Sequence, residues 1–119
     1  MANTFRMTNE TNVSTTIENI YTVPSSTTAV ILSVMLSNKG TDTIKGDVQI
    51  VSTTATSVNS GAANANETTY VIKDAPINTG SSLEIMGGNK VILQTGDILK
   101  AKSDTASALD IIISYMEIT

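Results

Sequence analysis

The sequence holds no His, no Cys and no Trp. That removes the commonest general base, every thiol mechanism and the usual transition-metal ligands. Any chemistry would have to come from carboxylates, hydroxyls and lysines. Asp42 with Asp47, and Asp104 with Asp110, offer oxygen ligands for a hard cation, but neither pair has calcium-loop spacing with a Gly at the sharp turn. They read as solvated surface charge. Gly87–Gly88–Asn89–Lys90 has the glycines of a phosphate-cradling loop without its length, its Lys–Ser/Thr ending or a following helix, so it reads as a tight turn. A Ser nucleophile would need a Lys or carboxylate partner, and no nucleophile-elbow pattern occurs. Asp97, directly after Gly96, suits a turn fixed by an Asx-type bond. Asn9–Glu10–Thr11, Asn12–Val13–Ser14 and Asn66–Glu67–Thr68 match the glycosylation acceptor pattern, which has meaning only in an exported chain. The expectation is therefore a non-enzyme: no catalytic residue, no metal site, no cofactor and no small-molecule substrate.

Composition narrows the classes further. The 119 residues suffice for one core, and the few aromatics (Phe5, Tyr21, Tyr70 and Tyr115) mean that it is aliphatic. Abundant Thr, Ser and Asn with few charges favour extended chain and turns over helices. The net charge of −4 with scattered basic residues argues against nucleic acid, which needs clustered Lys and Arg to neutralise phosphates. No apolar run approaches the ~20 residues of a membrane span. The polar first twelve residues have no hydrophobic signal region, so no Sec-dependent export is expected. A Cys-free chain fits assembly inside a reducing cell.

The elements that would position a site are read from periodicity. The run Ala29–Val30–Ile31–Leu32–Ser33–Val34–Met35–Leu36 is apolar at odd and even positions alike. It reads as a central strand, residues 28–37, buried on both faces. Residues 109–118 read the same way, with Leu109, Ile111, Ile113 and Tyr115 on one face and Ile112, Met116 and Ile118 on the other. Both Leu32 and Ile113 are thus expected in the core, where truncation to Ala costs about 2–5 kcal/mol.

Residues 13–23 form a first strand whose phase breaks near Glu18–Ile20, the mark of a bulge, and Pro24 ends it. Asn38–Lys39–Gly40–Thr41–Asp42 has hairpin chemistry, so residues 44–52 are expected to pair with the central strand. There Ile44, Gly46, Val48 and Ile50 face one way, and Lys45, Asp47 and Gln49 the other. Further strands fall at 70–77, 83–86, 90–94 and 98–102. Residues 53–69, with Val58 the one sizeable hydrophobe, read as an exposed loop. The sum is an all-β, antiparallel β-sandwich or jelly-roll-like domain of 7–8 strands over residues 13–119, preceded by a polar N-terminal arm, residues 1–12.

Four stretches stand out: the opening Met1–Ala2–Asn3–Thr4–Phe5, then Ile20–Tyr21–Thr22–Val23–Pro24–Ser25–Ser26–Thr27–Thr28–Ala29–Val30, Leu93–Gln94–Thr95–Gly96–Asp97–Ile98–Leu99–Lys100 and the closing Ser114–Tyr115–Met116–Glu117–Ile118–Thr119. With them the chain resembles a recurring kind of small virion structural protein of tailed bacteriophages, especially marine cyanophages. The resemblance implies a β-sandwich subunit present in many copies on the particle, at the neck, tail or capsid surface, assembled in the host cytoplasm. It implies other virion structural proteins as partners, and a homo-oligomer. The arm and the long loop are expected to make the contacts, with Phe5, Met7, Val58 and Tyr70 as partner-binding residues. The competing expectation is a receptor- or carbohydrate-binding sandwich at a fibre tip, for which Tyr70 is the stacking residue on offer.

Overall fold

Short apolar runs separated by turn residues cannot each bury a face alone, and they are folded here into two stacked sheets. The structure is a computed structural model that describes residues 2–53 and 67–119. Among the described residues there is no helix, and the strands are β1 (Asn3–Glu10), β2 (Glu18–Thr22), β3 (Thr28–Asn38), β4 (Ile44–Ser52), β5 (Glu67–Ile77), β6 (Ser82–Glu84), β7 (Val91–Leu93), β8 (Ile98–Ser103) and β9 (Leu109–Ile118). One sheet has the order β1-β9-β3-β6, with β7 also on β3; the other has the order β2-β8-β4-β5. All pairings are antiparallel. Strand β6 lies beside residues 35–37 of β3 and β7 beside residues 29–31. They are two halves of one interrupted edge strand. Counted so, the topology is an eight-stranded jelly roll, and the expected sandwich class is the one observed.

The core is aliphatic and lies between the sheets, with Ile31, Val34, Leu36, Ile44, Val48, Leu99, Ile111 and Ile113 essentially inaccessible. Strand β4 buries Ile44, Gly46 and Val48 as its alternation predicts. The phase break near Ile20 is a bulge, at which the β2–β8 register slips between Asn19 and Tyr21. Buried Asp97 fixes the turn before β8: its carboxylate accepts from the Gln94 amide at 2.9 Å and from the Thr53 amide at 3.1 Å, next to Gly96 at φ 89.

Two expectations are corrected. Strand β3 is not buried on both faces. Its inward set is Ala29 and Ile31, then Val34 and Leu36, because a bulge between Ile31 and Ser33 shifts the alternation by one. A strand that changes phase needs apolar residues at both parities, and Leu32, at the bulge, is only half-buried. Strand β9 likewise buries Leu109, Ile111, Ile113 and Tyr115 while Ile112 stays exposed and Met116 and Ile118 half-buried. The second correction concerns β4, which pairs with β5 and β8 and not with the central strand. Residues 38–43 form an arch between the sheets. Buried Asn38 holds it, donating from Nδ2 to the carbonyls of Asp42 (2.8 Å) and Ile77 (2.9 Å) and accepting from the Gly40 amide at 2.8 Å.

The N-terminal segment expected as an arm lies along the edge of its own sheet as β1, in register with β9 from Asn3↔Ile118 to Glu10↔Ile111. Its inward side chains are polar and meet a buried carboxylate. Glu117 Oε1 accepts from Arg6 Nε at 2.6 Å, and Glu117 Oε2 accepts from the Tyr21 hydroxyl at 2.6 Å. The Tyr21 and Tyr115 rings tilt against one another with centroids 4.3 Å apart, and the Tyr115 hydroxyl reaches Thr8 at 2.8 Å. The Tyr21 hydrogen bond holds Glu117 below the ordinary carboxylate pKa; desolvation opposes it, and Arg6 reinforces it. Desolvation, then the Glu117 hydrogen bond, raises the Tyr21 pKa.

These positions set the cost of truncation. Ile113→Ala should cost about 2–5 kcal/mol in urea denaturation, and Leu32→Ala less than about 2 kcal/mol, since it has less buried surface to lose. A depressed carboxylate stabilises the fold above its unfolded pKa of roughly 4.3 and loses that contribution as the pH falls through the folded value. Acid should therefore loosen the Arg6–Glu117–Tyr21 cluster. Glu117→Gln should lower stability at neutral pH and flatten the acid limb of stability against pH, as read by thermal melts from pH 7 down to about 2.

Candidate assembly face

Residues paired across an antiparallel ladder share a face, so register determines what the outer side of the β1-β9-β3 sheet presents. Phe5 stands opposite Met116, Met116 opposite Val30, and Val30 opposite Ile92. An apolar row thus crosses four strands. Flanking rows add Met7 beside Ser114 and Ser33, and Ile112 beside Met35. Much of this surface is open to solvent: Phe5 is 73% exposed, Ile92 61%, Met7 59%, and Ile112 and Met35 about two-fifths. Singly exposed hydrophobes are ordinary on any protein, but a contiguous field across neighbouring strands is not.

Charge avoids this face. Its margins carry Lys90 before β7, the Lys39–Asp110 ion pair at 2.9 Å, and Glu84, whose carboxylate accepts from the amides of Val34, Met86 and Gly87. Partial desolvation pushes the Glu84 pKa up, but those three amides outweigh it and the net shift is down. The outer side of the other sheet has the opposite character. Lys102 faces Asp47, and Lys100 faces Gln49, which faces Tyr70.

The residues expected to bind partners fall in different places. Phe5 and Met7 lie together on the apolar face, while Tyr70 is on β5 in the opposite sheet, with Lys73 Nζ 5.4 Å from its ring centroid. Val58 lies outside the described residues. Sequence reasoning missed Ile92, Met116, Val30 and Ile112. Val30, Ile112 and Met116 were signalled as apolar residues at the supposedly buried second parity of the strands at 28–37 and 109–118, and Ile92 lay inside the apolar run of the strand at 90–94.

Hydroxyls do meet carboxylates here: Tyr21 donates to buried Glu117 and Thr105 to the Asp104 beside it. Of the four carboxylates with oxygens to offer a hard cation, Asp47, Asp104 and Asp110 are engaged by the chain itself. Asp47 accepts from the Asp74 amide, Asp104 from the Lys45 amide, and Asp110 from the Asn12 amide besides its Lys39 pair. A pocket of about 250 Å³ opens at one end of the sandwich, and Asp42 is the one ionisable residue among those lining it. Among the described residues no helix is long and apolar enough to cross a membrane.

No protein-family model matches the chain, and no curated protein matches its sequence. Similar solved structures include a chain of the Bacillus endospore appendages, described as a novel family of disulfide-linked pili. It is 18% identical, with 99% of this chain and 87% of that one covered and a TM-score of 0.49. Another is a chain of the IBDV viral particle, 6% identical, with a TM-score of 0.55 and 97% of this chain covered. This chain spans about 30% of that viral protein's length. What is shared with the viral protein at this identity is the β-sandwich fold.

Proposed function

We propose that this chain is a non-enzymatic structural subunit that assembles in many copies, and that its place is the virion of a tailed bacteriophage, at the neck, tail or capsid surface. The observation that carries the reading is the contiguous, uncharged apolar field on the outer side of one sheet, centred on the Phe5–Met116–Val30–Ile92 row. A free-standing soluble domain gains nothing from such a surface, whereas a packed subunit buries it. The sandwich fold it shares with a viral-particle protein supports the reading, as does the resemblance of its sequence to small virion proteins. Partners would be copies of itself and other structural proteins. Phe5 and Met7 supply anchors from the N-terminal strand, and the segment after β4 supplies a further contact.

The competing role, a carbohydrate-binding module, rests on Tyr70 alone. Sugar stacking draws on exposed aromatic faces, and Lys73 already stands over this ring. The only other exposed aromatic among the described residues, Phe5, is on the opposite sheet.

Quantitative mass spectrometry of gradient-purified particles from the phage that encodes the chain tests the proposal. The expected result is a fixed, many-copy ratio to the other structural proteins. Absence from the particles, or glycan binding abolished by Tyr70→Ala, would refute it.

A further inference from the structure

We infer that the outer side of the β1-β9-β3-β7 sheet is a pairing face for a second copy of this chain, the two sheets meeting back to back about a two-fold axis. The inference rests on the structural-subunit reading and names the first partner of that same face. Charge is the first ground for it. In a two-fold contact each residue near the axis meets its own copy, so any charge there faces a like charge. Across Phe5, Met7, Ile112, Ser114, Met116, Val30 and Ile92 there is none, although the chain carries a net −4; the charges on this sheet's outer side, Glu84 opposite Met35 and Asp110 opposite Ser37, stand at one end of it. The outer side of the other sheet would bring Lys45, Asp47, Lys100 and Lys102 against their own images. Self-mating is open to the first face and opposed on the second.

Shape and area agree. Sheets stack about 10 Å apart with interdigitating side chains, and unbranched Met7, Met35 and Met116 adapt to such packing. Strands β1, β9, β3 and β7 offer eight, ten, eleven and three residues; at ~3.3 Å per residue and about 4.8 Å between strands they cover roughly 500 Å² per copy. The two copies together bury about 1,000 Å², the lower limit for a specific interface. The expected dimer is therefore weak, dissociating in the micromolar range, and gains from repetition within a multi-copy assembly.

Sedimentation equilibrium of the purified chain, run from low micromolar to millimolar concentration, tests this. The wild type should be a concentration-dependent dimer. Ile92→Glu and Phe5→Glu, both at exposed positions, should shift dissociation at least tenfold towards monomer with unchanged thermal melts. Tyr70→Glu, on the other sheet, should leave the dimer intact. A wild type monomeric throughout, or a dimer indifferent to Ile92→Glu and Phe5→Glu, would overturn the inference. If a monomeric wild type is found in particles and the Ile92→Glu chain is not, the face docks on a different protein. The pairing inference then fails while the structural role stands. Conversely, a dimer sensitive to both substitutions, formed by a chain absent from particles, upholds the pairing and removes the virion role.

Discussion

Strand β9 carries a hydrogen-bond ladder on each edge, to β1 on one side and to β3 on the other. The rest of the molecule depends on that double engagement. Leu109, Ile111, Ile113 and Tyr115 project from it into the core, and Glu117 at its far end collects Arg6 and Tyr21. A buried carboxylate is costly unless its lone pairs are filled. Glu117 fills them with donors from two strands that belong to opposite sheets. Its cost is thereby converted into positional information: β1 has one register on β9 that brings Arg6 to this oxygen, and β2 one placement that brings Tyr21.

The same strand explains why one outer face is charged across its middle while the other keeps its charges to the margins. The inward parity of β9 is used by the core, and its outward parity holds Asp110 at the start and then Ile112, Ser114, Met116 and Ile118. Neighbours placed by register then extend this band with Phe5 and Met7 on one side and Val30 and Ile92 on the other. The apolar field is a product of strand order as much as of composition, since its members come from the beginning, middle and end of the chain.

How much of this was legible in the sequence follows from which signals are local. Strand bounds at Ile44–Ser52 and Leu109–Ile118, the bulge at Ile20 and the Gly96–Asp97 turn all depend on neighbours within a few residues, and alternation or turn chemistry reveals them. Pairing is not local. The Asn38–Asp42 turn looks like a hairpin because Asn and Gly suit reversals of any kind, and here the reversal carries the chain to the other sheet. Apolar residues at both parities of β3 and β9 do not distinguish a doubly covered strand from one with a phase shift and an uncovered face. Phe5 and Met7 stood out as isolated hydrophobes in a polar stretch, whereas their companions on the face were hidden inside strands already assigned to the core.

A strand that follows all the others in sequence and sits second in its sheet has a temporal consequence. Emerging N-terminus first at about 5–20 residues per second, β1 and β3 wait several seconds for the neighbour that separates them. During that interval their free edges and the half-built core are bare to any other copy on the same message. Ala2 and Thr119 lie side by side, exchanging amide–carbonyl bonds at 3.0 and 2.9 Å, so β1 has no neighbour to pair with until β9 is out. A β9 traded between siblings would bring the same Glu117 to Arg6 and Tyr21, so that contact forms equally well within one chain or between two.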